Sequence, residues 1–341
     1  MLYSLIRPAL FSLDAEKAHE LSFAAFTRAH RLGLNPFACQ QLPEKTVQVM
    51  GLNFPNPIGL AAGLDKNAAY VDALASFGFG FIEVGTVTPK PQSGNPKPRM
   101  FRLTEHEALI NRLGFNNEGL DRYCHNLQNT KWSGIIGVNI GKNKDTANVL
   151  AVNDYLQGLR AAYERTHKSS YVTINISSPN TVGLRDLQAE EALRALITPL
   201  KQAQEELSQR HGRRLPMAVK IAPDLDEVNL QSTVNLLCEL KVDAIISGNT
   251  TLSRAAVSGH AHAAESGGLS GAPLRQLANE VLAKVVRIAD GRVPVIGVGG
   301  ITEAAHAKEK LALGASLVQI YTGLIYRGPQ LIADSVRLTC K

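Results

Sequence analysis

The chain has 341 residues, 45% of them hydrophobic, four cysteines and a formal net charge of +6. A core of that size excludes a disordered chain, and cysteines scattered at 39, 124, 238 and 340 with no C-x-x-C pair exclude a disulfide frame and a thiolate metal site, as in a reducing compartment. The modest positive balance suits an anionic substrate, a phosphate-bearing cofactor or an acidic membrane surface; without a Lys/Arg block interleaved with aromatics, it argues against nucleic acid.

In chain order, the first 45 residues stand apart from the rest. "MLYSLIRPALF" and "DAEKAHELSFAAFTRAHRLG" predict two helices, the second capped by Asp14. Along the second, Ala18, Leu21, Ala25, Ala29 and Leu32 recur at helical spacing and Phe26 adds bulk. Such a pair either covers the bottom of the domain that follows or lies as a hairpin on a membrane surface. Arg7 and Pro8 interrupt the first apolar run and Asp14, Glu16 and Lys17 follow it, so no secretory signal is read. Two uncharged stretches, 46–64 and 311–326, are broken by Gly, Asn, Pro, Ser and Gln, and neither supplies the roughly 20 apolar residues of a spanning helix.

From about residue 55, eight short Val/Ile-rich runs recur: "PIGLAAG" (57–63), "FIEVGT" (81–86), "IIGVNIG" (135–141), "YVTINIS" (171–177), "MAVKIA" (217–222), "DAIISGN" (243–249), "PVIGVGG" (294–300) and "SLVQIYT" (316–322). Segments of helical periodicity such as "EEALRALITPLKQAQEELSQ" (190–209) separate most of them. Continuous apolar strands alternating with helices predict a parallel sheet, and eight units predict an α/β fold of the (β/α)8 barrel type. A doubly wound open sheet is the competitor, but no early G-x-G-x-x-G turn with an acidic ribose partner is present. The expected organisation is a helical extension over 1–45 and a barrel domain over 46–341.

Barrel active sites are built at strand C-terminal ends. On this reading Lys66, Thr86, Asn139, Asn175, Ser178, Lys220, Asn249, Gly299, Gly300, Tyr321 and Thr322 form one ring. "GVGGI" with "YTG" after the next strand fits a backbone cradle for phosphate, although glycines also serve helix packing. Lys220, an ammonium within an apolar strand, must be paired or functional unless it faces outward; it could form a Schiff base or set a positive charge beside a cofactor. Asparagines 111, 139, 175, 180 and 249 offer donors and acceptors suited to the amide and imide edges of a flat heterocycle. The nine histidines show no metal-ligand spacing. Ser178 follows an apolar run in "INISSPNTVGLRDLQ" with no histidine or cysteine in that stretch, so any chemistry there proceeds without the usual partner base.

"GLAAGLDKN" (59–67), "EVGTVTPKPQSGNPKPRMFRL" (83–103), "NRLGFNN" (111–117), "NIGKNKDT" (139–146), "NISSPNTVGLR" (175–185), "KIAPDL" (220–225), "GGLSG" (267–271), "IGVGGI" (296–301) and "LVQIYTG" (317–323) together resemble the class 2, quinone-linked dihydroorotate dehydrogenases of bacteria. The resemblance implies an FMN enzyme that oxidises dihydroorotate to orotate in pyrimidine (UMP) synthesis and passes electrons to a quinone. FMN would be held by Ala62, Gly63, Lys66, Thr86, Asn139, Asn175, Lys220, Gly248, Gly271, Gly300, Tyr321 and Thr322. Substrate would be held by Lys66, Asn111, Arg112, Leu113, Gly114, Phe115, Asn175, Asn180, Asn249 and Thr250.

The resemblance further implies that Ser178 is the base that takes a proton from substrate C5 while hydride passes from C6 to flavin N5, with Thr181 or a water as proton relay. The soluble class of the family carries cysteine there, so serine points to class 2. Gly248 departs from the pattern, in which threonine often precedes "NTT"; its backbone alone could meet the flavin. The N-terminal helices would dock on the membrane, with His19 and Arg102 at the quinone site, giving a peripheral protein, a monomer, on the cytoplasmic face of the cell membrane. Two rival readings are a Schiff-base barrel working through Lys220 or Lys66 and a non-catalytic, membrane-surface binder of a phosphate ligand.

Overall fold

The computed structural model describes residues 2–38 and 42–340; Cys39, one of the four cysteines weighed above, lies outside the described residues. Eight parallel strands close a barrel: β1 (Ile58–Leu60), β2 (Phe81–Val87), β3 (Ile135–Ile140), β4 (Tyr171–Asn175), β5 (Met217–Ile221), β6 (Ala244–Ser247), β7 (Val295–Val298) and β8 (Leu317–Ile320). Each strand pairs with its sequence neighbour, and β8 pairs with β1 through Gln319 opposite Gly59, which closes the ring. Seven lie within the apolar runs marked in the sequence and β2 runs one residue past its own, and their Val, Ile and Leu side chains are almost wholly buried, as a sheet covered on both faces requires. The α/β barrel expectation is borne out.

Two helices precede the barrel, α1 (Leu2–Phe11) and α2 (Ala15–Arg31). The remaining helices pack outside it: α3 (Val71–Ala75), α4 (Gly119–Gln128), α5 (Ala151–Glu164), α6 (Glu190–His211), α7 (Glu227–Glu239), α8 (Arg275–Ala289), α9 (Ala304–Ala312), α10 (Thr322–Arg327) and α11 (Gln330–Thr339). The barrel interior takes large rings only because glycines face them. A Cβ on Gly59 would collide with the Phe81 ring, and one on Gly137 with the Tyr171 ring.

The bottom of the barrel is closed by an antiparallel hairpin, Val47–Val49 with Leu52–Phe54. Phe54 is fully buried there and meets Phe81 edge-on, with centroids 5.2 Å apart. The helical pair is therefore not the bottom cover. It packs at the opposite end, where residues of α1 and α2 face Leu64 after β1 and Tyr321 after β8. The Asp14 cap is as expected, with its carboxylate accepting from Glu16 N and Lys17 N at 3.0 Å each. The apolar stripe differs. Leu21 and Leu32 face solvent, whereas Ala15, Ala18 and Phe23 are buried, because the packed face runs through aromatic contacts of Phe23 with Tyr70 and of Phe26 with Phe77.

A second addition had no counterpart in the sequence reading. After β2 the chain forms a hairpin, Met100–Leu103 with Ala108–Asn111, and the segment Gly268–Gly271 beyond β6 joins it as a third antiparallel strand. This small sheet rises over the strand C-terminal ends. Arg102 on it donates to Phe11 O and Leu13 O at 2.9 Å each, and Arg99 beside it forms a buried pair with Glu16 of α2 at 2.6 Å. Helical pair and cap are thus tied together.

Phe54→Ala should cost about 3–5 kcal/mol, the usual range for truncating a fully buried aromatic. Urea denaturation should show a lower midpoint at an unchanged slope, and a midpoint within error of wild type would show the hairpin to be a dispensable plug.

Candidate active site

A cleft of about 950 Å³ opens at the C-terminal ends of the strands, under the cap sheet. Lys66, Thr86, Asn175, Ser178, Lys220, Asn249, Gly300, Tyr321 and Thr322 from the barrel rim line it, as do Ala62 and Gly63. The cap contributes Asn111 and Gly271, the turn after it Leu113, Gly114 and Phe115, and the loops after β4 and β6 Asn180 and Thr250. Four expected residues do not reach the cleft wall. Asn139 is fully buried below it. Arg112 turns its guanidinium away to Glu265, at 2.6 Å, and over the Phe101 ring. Thr181 is buried behind the β4 loop. Gly248 at the end of β6 has φ +113° and a Cβ there would sit 3.0 Å from Val298 O, so this backbone suits glycine rather than threonine.

The polar floor of the cleft is a continuous network. Glu83 of β2, fully buried inside the barrel, accepts from Asn139 Nδ2 (2.7 Å) at one oxygen and from Tyr171 OH (3.0 Å), Thr173 Oγ1 (3.0 Å) and Gln319 Nε2 (2.9 Å) at the other. Above it, Thr86 Oγ1 donates to Asn139 Oδ1 at 2.6 Å, and Asn175 Nδ2 donates to Thr86 Oγ1 at 2.8 Å. The side chains of Glu83, Ser177, Gln319 and Ser270 were missed in the sequence. The signal for Glu83 was available: it is a carboxylate within an otherwise apolar strand.

Lys220 points inward, buried, with no hydrogen-bond partner for Nζ among the described residues; burial lowers its pKa while Glu83 opposes the shift. Lys66 is half-buried, and loss of hydration brings its ammonium down to about 8, with Glu16 and Asp65 opposing the shift and Arg99 reinforcing it. Ser178 Oγ accepts from Asn180 N at 3.2 Å. Asn180 Nδ2 reaches Asn111 Oδ1 at 3.2 Å across the loop and cap. Asn180 Oδ1, Thr181 Oγ1, Thr250 Oγ1 and Gln319 Oε1 are buried without a partner, and such orphaned groups are costly unless a ligand meets them.

These features fit a flat cofactor carrying a phosphate. Gly299 and Gly300 have φ of +100° and +74°, and a Cβ on Gly300 or Gly271 would strike backbone, so the chain can approach an anion there closely. Among the described residues no cluster of His, Cys, Asp and Glu is arranged to hold a metal ion.

His19 and Arg102 lie elsewhere. Both line a second, apolar cavity of about 710 Å³ between α1, α2 and the barrel, with Phe11, Phe23, Phe26 and Leu324. Tyr321 borders both cavities. Burial pushes the His19 imidazole down to about 3, the nearby Lys66 adding to the shift, so it stays neutral in this setting.

A sequence model described as dihydroorotate dehydrogenase matches residues 45–337. The chain belongs to the dihydroorotate dehydrogenase family. A relative named dihydroorotate dehydrogenase (quinone) from Chromobacterium violaceum is 54% identical, covering 100% of this chain and 98% of its own length. One of the same name from Azotobacter vinelandii is 52% identical over 98% of this chain and 96% of its own. The crystal structure of DHODH from Eimeria tenella in complex with ferulenol superimposes with a TM-score of 0.85 at 38% identity, covering 94% of this chain and 90% of that one. Because the quinone-named relatives align through α1 and α2 as well as the barrel, the dihydroorotate dehydrogenase resemblance read from the motifs is borne out in its bacterial, quinone-linked branch.

Lys66 should react with an amine-directed acylating reagent at a half-maximal pH near 8, well below the exposed lysines. Site-resolved mass spectrometry across pH 6–11 would check this; reactivity rising with that of surface lysines would mean its ammonium is not desolvated.

Proposed function

We propose that this chain oxidises dihydroorotate to orotate in UMP synthesis, with FMN as its redox group and a quinone as final acceptor. The observation that carries the reading is the convergence on one cleft of Ser178, Lys66 and four amide side chains, Asn111, Asn175, Asn180 and Asn249, with the buried, orphaned Asn180 Oδ1 among them. The Lys66 ammonium pairs with the substrate carboxylate, and the asparagines read the imide edge of the ring. Arg112 serves from outside, through its backbone: its carbonyl accepts from Asn95 Nδ2 at 2.9 Å, which also reaches Asn180 O at 3.2 Å.

Ser178 takes the proton from C5. A hydroxyl is a weak base, so its own proton must leave as the new one arrives. Thr181, whose buried hydroxyl has no partner, is the relay this supports. When bound, FMN supplies the acceptor for the C6 hydride, held by the residues named for it above, with Lys220 as the inward positive charge. Asn139 serves that site from beneath and Gly248 through backbone alone.

The segment 1–45 is proposed as a membrane-docking and quinone-access unit on the barrel domain 46–341. Leu2, Leu5, Leu21, Leu32 and Leu34 are exposed on it or just beyond α2, and its apolar cavity with His19 and Arg102 ends at Tyr321. No described helix is long and apolar enough to cross a membrane. Together with the family resemblance, we read this as a monomer resting peripherally on the cytoplasmic face of the cell membrane.

Anaerobic addition of dihydroorotate to the FMN-loaded protein should bleach the visible flavin absorbance; a yellow protein that stays yellow would sink the substrate assignment. Ser178→Ala should keep its flavin yet be reduced about 10²–10⁴-fold more slowly, the usual worth of a general base, and near-normal reduction would remove Ser178 from that role. A chain lacking residues 1–40 should be bleached by dihydroorotate but fail to turn over with quinone. Unchanged quinone kinetics would make the helical pair a lid.

A further inference from the structure

Arg185 closes the segment "NISSPNTVGLR", yet it does not line the cleft. It sits on a short helical turn, Leu184–Gln188, beyond the loop that carries Ser178. That turn is firmly seated: Leu184 and Leu187 are buried, and Gln188 Oε1 accepts from Ala222 N, just after β5, at 2.8 Å. From this base the guanidinium makes three bonds through three nitrogens. Nε donates to Ser177 O (3.0 Å), Nη2 to Thr250 O (3.0 Å) and Nη1 to the Asp224 carboxylate (2.7 Å). Among the described residues no other donor bonds either carbonyl. Asp224 also accepts from Thr251 Oγ1 and, at 3.2 Å, from Leu252 N. The loops after β4, β5 and β6 thus meet on one planar cation.

We propose that Arg185 is a positioning residue for proton removal: it holds the peptide that carries Ser178 in register with the β6 loop that carries Asn249 and Thr250, while Asp224 keeps the guanidinium turned to both. The proposal rests on the functional reading above, in which Ser178 takes the C5 proton and Asn249 and Thr250 hold the ring. A peptide unit is rigid, so fixing Ser177 O fixes the plane that contains Ser178 N and Cα. The bond from Asn180 N to Ser178 Oγ (3.2 Å) lies within the loop and moves with it. Asn249 Nδ2 reaches Ser177 Oγ at 2.8 Å and so links side chains of the same two loops; Arg185 links their backbones. Lysine is no substitute, because its ammonium offers donors from one atom rather than from three nitrogens in a plane. A displacement of the base by about 1 Å is enough to slow a reaction on the order of 10²-fold.

The test separates the two half-reactions of the FMN-loaded protein by anaerobic stopped flow: flavin reduction at saturating dihydroorotate, and reoxidation of photoreduced flavin by quinone. In Arg185→Ala, reduction should be about 10²-fold slower, with flavin content and reoxidation within about threefold of wild type. Reduction at the wild-type rate, or both half-reactions slowed alike, would overturn the proposal, the second showing a general structural loss. The Arg185 side chain is 19% exposed, so the gap left by alanine opens to solvent. Millimolar ethylguanidinium, which restores the missing fork, should recover at least about tenfold of the reduction rate, and ethylammonium should not. Equal recovery by both would mean that charge alone matters and would refute the positioning role. If R185A does not accumulate as folded protein, R185K decides: it should be reduced about tenfold more slowly with reoxidation unchanged, and a wild-type rate of reduction overturns the inference. Wild-type protein that dihydroorotate does not bleach is a failure of the functional reading instead, and it shows before any variant is compared.

Discussion

A carboxylate sits at the centre of this barrel, and much of the interior is arranged to hold it. Removing an ion from water costs several kcal/mol even after relaxation, so a buried charge persists only where donors surround it. Glu83 collects four of them from three strands: Asn139 from β3, Tyr171 and Thr173 from β4, and Gln319 from β8. Those side chains can converge only because the sheet is closed, which turns alternate residues of every strand toward one axis. Gly137 follows from the same demand, since the Tyr171 ring that delivers its hydroxyl to Glu83 occupies the space of a side chain there.

From this anchor the polarity of the structure increases upward in layers. The lowest layer is apolar, with Phe54 and Phe81 over the hairpin that closes the bottom. Glu83 and its donors form the next, amides and hydroxyls the one above, and the cleft with Lys66, Ser178 and the glycine cradle the last. Burial has opposite uses along this axis. At Lys66 it lowers the ammonium to about 8, and at His19, beside the other cavity, it keeps an imidazole neutral, with Tyr321 bordering both cavities.

The barrel was legible because its signal is local and repeated: an apolar β-branched run, a polar rim residue, a helix. The rim residues were legible for the same reason, most falling at or just after the end of a run, with Lys220 marked instead by its charge within one. What escaped depended on distant partners. The cap sheet takes its third strand, Gly268–Gly271, from more than 150 positions beyond the hairpin it joins, and four residues with two glycines carry no alternation to mark them. The packed face of α2 was misjudged because small alanines score at every helical position. The aromatic partners Tyr70 and Phe77, which settle the face, come from the region after β1. Arg112 was counted with the cleft by its place in a motif, although its cation is claimed by Glu265 and Phe101 from outside it.

The single ring of Tyr321 that borders both cavities has a further implication. With a polar cleft on one side of Tyr321 and an apolar cavity on the other, a water-soluble, charged compound and a greasy one can be selected separately, without either pocket compromising for the other's solvation. The two linings can therefore change independently over evolutionary time. A chain of this plan could reshape its apolar cavity by altering α1 and α2 alone, leaving the amide-lined cleft untouched.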